Sequence, residues 1–214
     1  MNTVLLTGFE AFGGEPINPS WEMVKLYDKQ TFDNIHIVAR CLPCVFGASI
    51  ETLEKAIIEV KPDIVICFGQ AGGRAAITPE RVAINVDDAR ICDNAGKQPI
   101  DEAVIADAQA AYFSTLPIKA IVASLNQQGI PSSVSNTAGT FVCNHVFFGL
   151  QHFAKRYGIR KSGFIHIPYL PQQTVLQPNE PSMSLPMLRS AVQIIVKTTV
   201  MTDKDSKLVG GAIQ

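Results

Sequence analysis

The sequence has no surplus of charge of either sign. Its 214 residues carry 18 Lys and Arg against 19 Asp and Glu, a formal net charge of −1, and only 17% of them are charged. A chain so balanced lacks the one-signed field that draws a protein onto a nucleic acid or an anionic membrane surface, which excludes both as main partners. Long apolar runs are missing as well: none approaches the roughly 20 residues that a helix needs to cross a bilayer. Met1–Glu10 has no basic lead and only the short apolar patch Val4–Leu6, which reads as a first strand and not as a secretory leader. Cysteine is sparse. Five residues, odd in number and irregularly spaced, do not make a disulfide framework and point to reduced thiols in the cytoplasm. Internal repeats and low-complexity segments are absent.

Apolar side chains are plentiful, at 47% of residues, enough for one compact domain over residues 1–214. Strand-length apolar runs alternate with stretches of helical period, the pattern of an α/β domain with a mostly parallel sheet. The strand candidates are Val4–Thr7, Ile35–Ala39, Ile64–Phe68, Val82–Val86 and Gly163–Ile167, with Ser132–Ser135 weaker. Asn18 and Pro19 supply a cap and a first turn for a helix through Tyr27. Further helical stripes run through Phe46–Val60, Ile118–Leu125, Val146–Tyr157 and Leu185–Val196. Two stretches break the rhythm. Asp87–Asp101 is polar and irregular, and Pro168–Pro186 holds five prolines, too long for an ordinary connection and therefore an arm, lid or subunit contact. The tail after Asp203 is expected to be frayed.

Cys143 is the most suggestive thiol, because the small turn-forming residues Ser135–Thr140 precede it and a periodic helix begins directly after Asn144. A cysteine at that point meets the helix's positive end, which favours thiolate and offers unpaired N–H groups to a developing oxyanion. A thiolate nucleophile wants a histidine. His145, two residues on, points to the other side of the helix; His152 and His36 sit in ordinary helix and strand contexts. His166 stands near the end of a strand, at the carboxyl edge where open α/β folds place their sites. A carboxylate that orients the imidazole completes such a set. Glu80 is a good candidate, and Asp87 and Asp88 are rivals that spacing does not separate. The glycine-rich turns Gly8–Gly14 and Gly69–Arg74 match neither a dinucleotide fingerprint nor a P-loop. They let backbone approach a ligand, and Phe9 and Phe12 bring aromatic groups to the same edge. Cys41-Leu42-Pro43-Cys44 has redox-pair spacing but follows a second strand, which marks it as accidental.

These residues resemble the pyrrolidone carboxyl peptidases, also called type I pyroglutamyl peptidases. The resemblance rests on Thr7-Gly8-Phe9-Glu10-Ala11-Phe12-Gly13-Gly14 with Asn18-Pro19-Ser20-Trp21, on Gly69-Gln70-Ala71-Gly72-Gly73-Arg74, and on Ile77–Asn85. It continues through Ser135–Asn144 and Phe164-Ile165-His166-Ile167-Pro168, nearly end to end. Ala11, where many members have proline, and Cys44, where an apolar residue is usual, depart from the pattern without touching the candidate triad. The resemblance implies a single-domain three-layer α/β/α fold with a mostly parallel or mixed sheet, like that of phosphorylases. It implies Cys143 as nucleophile, His166 as general base and acid, and Glu80 as orienting carboxylate. Phe9, Phe12 and Phe141 are expected to flank a pyrrolidone ring, Gln70 to address the lactam, and Arg90 to lie near the oxyanion. Expected with them are peptides bearing amino-terminal pyroglutamate as substrates, no metal or organic cofactor, a homotetramer, and the Pro-rich arm at a subunit interface. A phosphorylase-like enzyme and a non-catalytic thiol sensor are the two competing readings.

Overall fold

The computed structural model describes residues 1–211. Eight strands alternate with five α-helices: β1 Asn2–Phe9, α1 Pro19–Val24, β2 Thr31–Phe32, β3 Ile35–Leu42, α2 Ala48–Val60, β4 Ile64–Gln70, β5 Thr78–Pro79, β6 Val82–Ile84, β7 Ala111–Phe113, α3 Ile118–Gln127, α4 Val142–Ala154, β8 Lys161–Ile167 and α5 Leu185–Met201. Six strands form one sheet in the order β2-β3-β1-β4-β8-β5. Its four long members, β3, β1, β4 and β8, run parallel, and the two-residue strands β2 and β5 close the edges antiparallel.

Period-two alternation sends each strand's residues to opposite faces, and both faces are dry. Val4, Leu6, Ile64, Ile66, Phe68, Ile165 and Ile167 pack with Met23 of α1, Ile121 of α3 and Leu188, Val192 and Ile195 of α5. Leu5, Val65, Cys67 and Phe164 pack on the other side with Leu53 and Ile57 of α2 and Val146, Phe147 and Leu150 of α4. The result is an α/β fold of three layers, with α1, α3 and α5 on one face and α2 and α4 on the other. The parallel strands all end at one edge, at Phe9, Leu42, Gln70 and Ile167.

Two expectations need correction. Val82–Val86 does not join the main sheet; only Val82–Ile84 is strand, and it pairs antiparallel with β7 in a separate ribbon. The place beside β8 is taken by Thr78–Pro79, an edge position that tolerates a proline lacking an N–H. Ser132–Ser135 contributes only isolated bridges, to Ile77 and Glu80. The described part of the tail forms no regular element after α5 but makes specific hydrogen bonds. Asp205 accepts hydrogen bonds from the backbone N–H groups of Lys119 and Ala120 at 3.1 and 2.9 Å, capping α3, whose own N-cap is Pro117 without a side-chain acceptor. Gly210 O accepts from Arg81 Nη2 at 2.7 Å. Residues 212–214 lie outside the described part. Among the described residues, no helix is long and apolar enough to cross a membrane.

Candidate active site

Cys143 is the second residue of α4. Phe141 at the N-cap is extended and gives no side-chain hydrogen bond, so the first-turn N–H groups face outward without an internal acceptor. The residues just behind the thiol fasten this helix start. Asn144 Oδ1 accepts from Ile84 N at 3.0 Å, while its Nδ2 donates to Ile84 O and Val86 O at 2.9 and 3.0 Å. His145 accepts from Gly47 N at Nε2, 2.9 Å, so its proton is on Nδ1, which donates to Asp87 Oδ2 at 2.7 Å. Asp87 is thereby committed to His145, and Asp88 is exposed.

Glu80 is the carboxylate that meets His166. In the antiparallel pairing of β5 with β8, Thr78 lies opposite His166, and Glu80 N donates to Phe164 O at 2.9 Å. Glu80 therefore shares the face of Thr78 and reaches diagonally to His166, whose Nδ1 donates to Glu80 Oε1 at 2.7 Å. The pair is buried, at 0% and 4% exposure. With Nδ1 holding the proton, Nε2 presents a lone pair.

The sulfur lies over the sheet on the same face as this imidazole. Gly69 pairs with His166 across β4 and β8, and a Cβ added at Gly69 would fall 2.8 Å from Cys143 Sγ and 2.7 Å from Phe164 Cζ. The absence of a side chain at Gly69 is what lets the thiol settle over the sheet. Burial pushes the Cys143 thiol above its usual range; Cys44, Glu80 and Cys67 add to this and Arg74 opposes it. Burial lowers His166, against an upward pull from Glu80 and with a further lowering from Arg74. Burial thus disfavours charge on both groups, in the direction opposite to the thiolate-favouring helix start.

The remaining expected residues differ in their surroundings. Phe9 is buried, 2% exposed, packed on Phe164 with ring centroids 6.2 Å apart. Phe12 and Phe141 are half-buried and face each other at 6.2 Å, and Phe141 meets Phe46 edge-on at 5.3 Å. Gln70 Oε1 accepts from Gln173 Nε2 at 2.9 Å; Gln173 Oε1 in turn accepts from Leu170 N, which fixes both carboxamides and leaves the Gln70 NH₂ free to donate elsewhere. The Pro-rich arm, 168–186, is therefore tied to the sheet edge, with Tyr169 against Gly72. Arg90 is exposed and makes no hydrogen bond or ion pair among the described residues. Sequence reasoning passed over Arg74, which donates from Nη1 to both Thr78 Oγ1 and Glu80 Oε1 at 2.6 and 2.7 Å; an arginine after two glycines carries no signal that separates it from a solvated turn. All five cysteines are free. Among the described residues no three His, Cys, Asp or Glu side chains cluster as a metal site.

A family model described as pyroglutamyl peptidase matches residues 2–202. Pyrrolidone-carboxylate peptidase 1 of Ralstonia nicotianae is 54% identical over the full length of both chains. The pyrrolidone-carboxylate peptidase of Escherichia fergusonii is 55% identical over 99% of each. Among solved structures, pyroglutamyl peptidase I from Bacillus amyloliquefaciens superposes with a TM-score of 0.94 at 49% identity, covering 97% of this chain and 99% of that one. A mutant pyrrolidone carboxyl peptidase from Pyrococcus furiosus does so with a TM-score of 0.89 at 45% identity, covering 92% and 98%.

Proposed function

Because this chain belongs to the pyroglutamyl peptidase family, and is an enzyme that removes amino-terminal pyroglutamate, we propose that it works as a cysteine exopeptidase through Cys143, His166 and Glu80. The observation that carries this reading is the convergence of an uncapped helix start bearing a thiol with a buried Glu-His pair whose free Nε2 lies on the same face. His166 Nε2 takes the Cys143 proton as sulfur attacks the carbonyl joining pyroglutamate to the next residue. The tetrahedral oxyanion is met by N–H groups at the start of α4. Glu80 holds the imidazole by Nδ1 and balances the charge it gains. Collapse breaks the C–N bond, His166 returns the proton to the leaving amine, and a thioester remains. Water, deprotonated by the same imidazole, attacks the thioester and releases pyroglutamate with the thiol restored.

The lactam has no terminal ammonium, so its pocket is apolar with a few amide-directed hydrogen bonds. We assign Phe12 and Phe141 to its walls, Phe9 to the packing beneath, the Gln70 carboxamide to the lactam oxygen and Arg90 to the outer side of the oxyanion. Such a site rejects prolyl substrates, which have the ring but lack its carbonyl and bring a charge. The protein works on peptides as a cytoplasmic homotetramer without a cofactor, in a single domain over residues 1–214.

Alkylation tests the nucleophile. Treatment with iodoacetamide, followed by peptide mapping, is expected to abolish turnover in proportion to modification of Cys143, with or without phosphate. Full turnover with Cys143 modified would overturn the reading.

A further inference from the structure

Glu80 Oε1 receives two donors, His166 Nδ1 and Arg74 Nη1, each at 2.7 Å. The same Arg74 nitrogen donates to Thr78 Oγ1 at 2.6 Å, and Nη2 donates to Thr137 O at 3.1 Å. The guanidinium therefore spans the strand that carries the carboxylate and the loop that leads to α4. Glu80 is wholly buried, whereas the Arg74 side chain is 30% exposed, so Arg74 closes the acid end of the site from solvent without belonging to the core.

We infer that Arg74 is a positioning residue for peptide hydrolysis: by holding Glu80 Oε1 it sets which carboxylate oxygen faces His166, and it shares the negative charge on which the imidazole leans. The inference rests on the roles proposed above for Glu80 and His166. Its consequence follows from counting charge. With Arg74 in place, a proton added to the Glu-His pair makes the buried group cationic overall. Without it, the same proton neutralises a buried anion and is held more tightly. Either location of that proton, on imidazole or carboxylate, gives the same direction. The charged groups facing the imidazole are Glu80 and Arg74; Cys143 from α4, with Cys67 on β4 and Cys44 after β3 near it, adds neutral thiols.

The test is the pH dependence of kcat/KM for a pyroglutamyl anilide, with Arg74→Gln, Arg74→Lys and Cys143→Ser compared with wild type. The acid limb reports the free enzyme's base. Arg74→Gln is expected to move it up by about one pH unit, the scale set by a neighbouring charge at hydrogen-bond range. Arg74→Lys keeps the charge, so its limb stays at the wild-type position while kcat falls several-fold. Arg74→Met, which preserves the packed stem, serves if the Gln variant does not fold. An acid limb in the charge-free variant that stays in place or moves down, with Cys143 still required, overturns the inference alone. Turnover that survives in Cys143→Ser overturns it together with the triad on which it rests.

Discussion

Cys143 and His166 are both driven toward their uncharged forms by burial, and in the proposed mechanism the proton moves from sulfur to imidazole during attack. Loss of the nucleophile should therefore be nearly total. Cys143→Ala and His166→Ala are expected to abolish measurable turnover, and Glu80→Gln to reduce kcat by about 10²–10⁴-fold, since it removes charge support but leaves sulfur and base in place. Steady-state kinetics on folded variants checks this, and a Glu80→Gln enzyme with wild-type kcat would contradict the role given to the carboxylate. Buried titratable groups also set how stability depends on pH. Burial pushes Cys44 and Cys67 up to about 12 from 9.0. The folded state holds these protons more tightly than the unfolded one, so the stability they give is intact below pH 9 and lost as pH rises toward 12. His166 is lowered from 6.5, so the folded state refuses a proton that the unfolded state accepts, and stability falls as pH drops below 6.5. Thermal midpoints measured from pH 5 to 11 should peak between those flanks; a midpoint still climbing at pH 11 would contradict the buried-thiol account.

At the scale of elements, the site is a junction of β4, β5, β8 and the start of α4, and Gly69 leaves the space that the sulfur fills. Gly69→Ala places a Cβ 2.8 Å from Cys143 Sγ and 2.7 Å from Phe164, so the thiol must shift and activity should fall by at least about 10²-fold, the cost of a misplacement near 1 Å. A Gly69→Ala enzyme of normal activity would contradict the placement of the sulfur. Away from the site, Asp205 serves as the cap that α3 lacks. Asp205→Ala should cost about 1 kcal/mol and lower the thermal midpoint by about 2–4 °C, with turnover unchanged.

How much of this was legible in the sequence follows from element length. The four long strands and the helices announce themselves by apolar period, and Cys143 and His166 stand out as candidates by their places at a helix start and a strand end. The two-residue β5 has no period to read, so the sequence shows Val82–Val86 as a strand and gives no sign that Thr78–Pro79 takes the place beside β8. The same short strand decides which carboxylate serves His166. Glu80 and Asp87 each sit 2.7 Å from a histidine, and the pairing of Thr78 with His166 separates them where spacing along the chain does not. Asp205 was hidden because its partner helix lies more than eighty residues earlier in the chain.

For the whole molecule, the layered α/β fold gathers four strand ends at one edge, and the Pro-rich arm folds back over that edge through Gln173 and Tyr169. The arm leaves Val175 and Leu176 at 74% and 92% exposure, adjacent apolar side chains that the proposed tetramer would cover. Sedimentation equilibrium is expected to give four times the chain mass of 23.2 kDa, and a monomer at all concentrations would contradict the assembly. The central claim concerns the reaction itself. Release of a fluorescent amine from pyroglutamyl and prolyl anilides, by wild type and by Cys143→Ser under reducing conditions, tests it most directly. The account predicts turnover of the pyroglutamyl substrate alone, lost in the variant; equal turnover of both anilides, or activity that survives in Cys143→Ser, would contradict it.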